Sequence, residues 1–128
     1  MPPLSPRDQA QASWVRGDAA AAIGVALQHA TDEWMLRAAC AMALRSHRVD
    51  LLMVHIDDIS ALERGVERDG VLASVLVGEG RVDEAASVVL AISPDEVAAT
   101  DDRPIASAAS LRSAAIAYVA LGAIASGA

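Results

Sequence analysis

The sequence predicts an all-α fold of antiparallel helical hairpins, about seven or eight helices in all, closed by a capping C-terminal helix. Two observations predict it. Residues favoured in strands are scarce: the chain has no Phe, and Trp14, Trp34 and Tyr118 are its only large aromatics. The stretch Arg48–Ser60 also recurs, in altered form and without a gap, 33 positions later as Arg81–Ser93. Val49, Leu52, Met53 and Ile56 stand at i, i+3, i+4 and i+7, one apolar stripe of a helix. Val82, Ala85, Ala86 and Val89 hold the same four places in the second copy. Each copy therefore reads as one helix of a helix–turn–helix unit.

The elements follow in order. Residues 1–6 are Pro-rich and read as an irregular N-terminus, with 7–128 a single helical domain. Ser5, Pro6 and Asp8 open a first helix that runs to about Arg16: a cap, a proline suited to the first turn, and an acid at the positive helix end. Gly17 breaks it. Asp18 caps a second helix, Ala19 to about Ala30, with Ile23, Ala26, Leu27 and Ala30 on its apolar stripe. Thr31 or Asp32 caps a third, about Glu33 to Ser46, on which Trp34, Ala38, Ala41 and Leu44 recur near the helical period. The first copy supplies the fourth helix. Ser60-Ala61-Leu62-Glu63 reads as a capping box for a fifth, with a break or kink expected near Asp69-Gly70 and Arg64, Glu67, Arg68 and Asp69 as its polar part. Gly78 and Gly80 end that element before the second copy. Ser93-Pro94-Asp95-Glu96 opens a short helix to about Thr100, and Thr100–Pro104 is a loop. The last helix runs from about Ile105 to Ser126.

Composition narrows the function. The net charge of −7 disfavours nucleic-acid binding, because an acidic surface repels phosphates. All ten basic residues are arginine; with the abundant alanine this points to a GC-rich coding sequence and a bacterial or phage origin. Cys40 is the single cysteine and lies in an apolar run, so it reads as a buried, inert thiol; it does not fix the redox compartment, for which a reducing cytoplasm is the default. No signal peptide is legible at the N-terminus. Arg112 and two glycines leave the C-terminal helix too short and too dilute to span a membrane.

The segment Leu72–Ala85 resembles the turn region of a tetratricopeptide (TPR) repeat, best over residues 72–93. That family pairs two helices around a glycine-rich turn followed by an acidic residue and a buried alanine, parts taken here by Gly80, Asp83-Glu84 and Ala85. Trp14–Asp18 with Ala22-Ile23 resembles the same turn. His47 stands where Gly80 stands in the other copy, and Ala or Val fills most of the family's aromatic packing positions. The resemblance implies a stack of hairpins whose first helices line a concave face.

Several side chains are weighed for chemistry. His55 and Asp58 are three residues apart and within reach on a helix, whereas Asp57 lies about 200° around from His55. A metal or acid–base role competes there with a solvated last turn, and no metal or cofactor is expected. His29 with Asp32 and Glu33 reads as a helix-end histidine, and Gly78-Glu79-Gly80 as a turn rather than a phosphate loop. Arg37, Arg64 and Arg68 fall on first helices, where arginines suit carboxylate recognition; the alternative is pairing with Glu33, Glu63 and Glu67. Trp34 is a candidate partner anchor, the alternative being core. Ala114, Tyr118 and Gly122 form a face on which another helix can approach closely.

The expected function is a non-enzymatic protein–protein interaction module or adaptor that binds a protein or peptide through Trp34, Arg37, Arg64, Arg68 and Tyr118. The alternatives are a structural subunit or homo-oligomer of a larger phage or envelope assembly, joined through the C-terminal helix, and a small ligand- or metal-binding domain using His55, Asp58 or His29.

Overall fold

In the computed structural model, residues 4–63, 65–92 and 108–125 are described. Among them are seven α-helices and one 3₁₀ segment, and no strand. The order is α1 (Pro6–Val15), α2 (Ala19–Leu27), α3 (Glu33–Ser46), the 3₁₀ segment (Val49–His55), α4 (Ile56–Ser60), α5 (Val66–Gly78), α6 (Val82–Leu90) and α7 (Ala108–Ala125). The all-α expectation stands. The short helix and loop expected over 93–104, and Arg64, lie outside the described residues.

Local chemistry starts the first three helices where the sequence places them. The Ser5 hydroxyl accepts from the Asp8 amide at 3.2 Å, Asp18 from Ala21 at 3.1 Å, and Asp32 from Trp34 at 2.9 Å. The fifth helix differs. The Ser60 hydroxyl donates instead to the Ile56 carbonyl at 2.9 Å, so no capping box forms, and α5 begins after an extended Gly65. Nor does α5 break at Asp69-Gly70: it runs unbroken to Gly78.

Three hairpins close through one turn geometry. In each, an amide donates to the carbonyl five residues back, across a residue in the left-handed region. Asp18 reaches Ser13 at 3.0 Å across Gly17 (φ 84°), Arg48 reaches Ala43 at 2.9 Å across His47 (φ 57°), and Arg81 reaches Leu76 at 2.9 Å across Gly80 (φ 80°). The return arm starts two residues after the left-handed one, at Ala19, Val49 and Val82. Three residues further on, Ala22, Leu52 and Ala85 are each fully buried. His47 thus adopts the glycine conformation without being glycine, at a cost of about 1 kcal/mol.

The return arms are not alike in backbone. Residues 49–55 form a 3₁₀ segment, and only Ile56–Ser60 continue as α-helix, whereas 82–90 are α throughout. The expectation of a single α-helix over 48–60 is therefore corrected. In a 3₁₀ helix residues at i and i+3 eclipse. That aligns Val49, Leu52 and His55 on one inward edge and turns Met53 (46 % exposed) and Val54 (88 % exposed) outward.

The core is built on α3 and α5. Helix α3 is buried on most sides, from Met35 through Leu44, by α2, the 3₁₀ segment, α5 and α7. Helix α5 meets α3, α6 and α7, and small residues allow the approach. A Cβ on Gly70 would stand 2.9 Å from Leu44 and 3.2 Å from Ala115; one on Gly122 would stand 1.9 Å from Val77. Gly70 with Ala115, and Val77 with Gly122, are contacts seven residues apart on both helices, so α7 runs parallel to α5 and caps the last hairpin. Its close-approach face is thus occupied at Gly122 by α5 of the same chain. Helix α7 also reaches α3: Arg45 donates to the Ser110 hydroxyl at 2.6 Å, and His47 stacks on Tyr118. An open solenoid touches only neighbouring units. Here α7 touches two successive first arms, which closes the stack into a globule.

Candidate functional site

The elbow between the 3₁₀ segment and α4 faces the α2–α3 connection across an open groove of about 740 Å³. Leu27 from the end of α2, Ala30 from the connection, Leu36 from α3 and Leu62 beyond α4 supply its apolar floor. Its rim carries Glu33, Asp58 and Glu63, and His55 stands beside Asp58 with Nδ1 3.6 Å from Oδ2. The spacing of three residues had placed this pair within reach, and the fold delivers it. Among the described residues, no group of three or more His, Cys, Asp or Glu side chains is arranged to hold a metal ion. His29 faces a smaller hollow of about 250 Å³ with Arg7, Asp32 and Met35.

The residues singled out for partner binding are spread over three helices, and each described one has an intramolecular neighbour. Trp34 is half-buried beneath the Arg7 guanidinium, whose carbon lies 4.3 Å from the ring centre. Arg37 pairs with Glu33 at 2.9 Å, one of the pairings the sequence allowed. Arg68 donates to Asp69 at 2.8 Å and to the Ser60 carbonyl at 3.2 Å, tying the head of α5 to the end of α4. Tyr118 stacks on His47. Arg68 lines a second hollow of about 540 Å³ with Leu72, Val75, Leu76, Arg81 and Val88.

Two acids in the polar part of α5 are buried: Glu67 is 1 % exposed and Asp69 3 % exposed, a burial that polar letters do not announce. Burial pushes the Cys40 thiol up to about 12, and the Glu67 carboxylate adds to the effect by disfavouring a second anion nearby. Cys40 is therefore a protonated core thiol, not a nucleophile.

Electrostatics at two of the turns repeat. The Arg48 guanidinium grips Asp50 through Nε at 3.1 Å and Nη2 at 3.2 Å, holding that carboxyl below its usual range. Arg81, 33 positions on, grips Glu84 through both Nε and Nη2 with the same effect, and also reaches Glu79 at 3.3 Å. These exposed forks pin the first turn of each return arm.

Sequence reading missed the groove as a unit. Leu27 was legible only as core stripe, and Glu63 as a helix cap or a partner of an arginine; nothing in the spacing of the lining residues announces a shared cleft.

No protein-family model, curated protein or solved structure matches this chain.

Proposed function

We propose that this protein is a non-enzymatic interaction module of the cytoplasm, a TPR-like stack of helical hairpins that holds a protein or peptide segment. The observation that carries the reading is the turn used three times, each with a left-handed residue, the same five-residue hydrogen bond and a fully buried residue in the return arm. Hairpins built this way leave clefts between successive units, and the groove between α2 and the 3₁₀ elbow is such a cleft. The cytoplasmic placement rests on composition, and none of the described helices is long and apolar enough to cross a membrane. A photo-crosslinking amino acid placed at Leu62 tests the proposal in cells of the source organism. The expected result is a discrete protein adduct from position 62 and none from Gly24, which faces open space. Equal labelling from both positions, or no adduct from Leu62, overturns it.

A structural-subunit reading is favoured by one separate observation. Leu121 and Ile124, near the end of α7, are 57 % and 74 % exposed. Single apolar side chains at a surface are ordinary, so this reading depends on self-association. Light scattering at rising concentration decides it: a constant monomer mass removes it.

A further inference from the structure

We infer that the groove takes a cationic, leucine-rich segment of a partner protein; this deepens the interaction-module reading and rests on it. The floor sets the apolar half of the requirement. Leu27, Leu36 and Leu62 converge from three different elements, so an occupant must bury aliphatic side chains to gain from the site. The rim sets the charge. Glu33, Asp58 and Glu63 stand around that floor, and among the described residues the one titratable base lining it, His55, already faces Asp58. Glu33 shares its charge with Arg37. Asp58 is 67 % exposed at its side chain, which leaves it open to a lysine or arginine from outside. Complementary charge of this kind speeds encounter and selects the partner more than it adds affinity. A second copy of this chain is a poor occupant, since two bodies of net charge −7 repel. The groove is open, unlike the enclosed pockets that surround small ligands.

The test uses the full chain and a fluorescent dodecapeptide that alternates lysine and leucine at helical spacing, read by anisotropy. Two control peptides replace its lysines by glutamate or its leucines by alanine. The lysine–leucine peptide binds, the glutamate peptide does not, and the alanine peptide binds at least about tenfold more weakly. Asp58→Asn with Glu63→Gln weakens the lysine–leucine peptide about tenfold, while Asp8→Asn with Asp83→Asn, which removes the same charge elsewhere, changes it by less than about twofold. Raising the salt weakens binding by the wild-type chain, a readout that needs no variant. Three results overturn the inference: no binding of the lysine–leucine peptide, equal binding of the glutamate peptide, or equal loss in the two double variants. Its failure is distinct from failure of the module reading. A Leu62 adduct to a partner through a neutral or acidic segment keeps the module and discards the cationic occupant.

Discussion

The His47 imidazole lies on the Tyr118 ring, with centroids 5.5 Å apart and planes 22° from parallel. Among the described residues His47 is also the single non-glycine with positive φ. One residue therefore closes the α3 hairpin and docks α7 onto it. A left-handed backbone disfavours a side chain, and the ring contact offsets that cost.

Substitution separates the two contributions. His47→Gly relieves the backbone and loses the stack, whereas His47→Ala loses the stack and keeps the strain. His47→Ala is expected to be less stable than His47→Gly by about 1 kcal/mol in urea unfolding. A double-mutant cycle with Tyr118→Ala is expected to return a coupling of about 0.5–1 kcal/mol.

Two glycines carry opposite predictions, one at the α5–α7 contact and one away from it. Gly122→Ala drives a methyl into Val77 and is expected to cost about 1–3 kcal/mol, with Val77→Ala in the same chain recovering most of it. Gly24→Ala, in the middle of α2 with nothing within 4 Å, is expected to gain about 0.5–1 kcal/mol. Thermal melts of the three variants check both.

Cys40 ties stability to alkaline pH. The folded thiol holds its proton to about 12, while an unfolded thiol loses it near its ordinary value of 9.0. The unfolded state therefore binds fewer protons between those values, and stability falls as pH rises through that window, by up to about 1.4 kcal/mol per unit. Below it the thiol makes stability no steeper with pH. Urea titrations from neutral pH upward should show the loss, and Cys40→Ala should flatten it. In the native state at mildly alkaline pH, a thiol reagent should label Cys40 only as fast as the chain opens.

Asp69 tests the polar join between α4 and α5. It is 3 % exposed and accepts from Arg68, which also holds the Ser60 carbonyl. Asp69→Asn keeps the shape and removes the charge, with an expected cost of about 2–3 kcal/mol. Arg81→Gln removes an exposed fork instead, and its unfolding midpoint should stay close to that of the parent chain.

The sequence by itself determined what depends on neighbours along the chain. Ser5 and Asp18 cap the helices they precede, Thr31 or Asp32 the third, Gly17 and Gly80 turn the chain, and Leu52 and Ala85 fall on buried edges, because caps, left-handed turns and periodicity act within a few residues. The His55–Asp58 contact was legible for the same reason. Tertiary structure decided the rest. It buried Glu67 and Asp69 from a stretch that reads as polar. It kept α5 helical through Gly70, where Leu44 and Ala115 occupy the space a side chain would fill. It wound residues 49–55 as 3₁₀, and it assembled one groove from leucines and acids more than thirty positions apart. Those outcomes turn on which surfaces meet and how closely, and close packing between distant segments leaves no local trace in the letters.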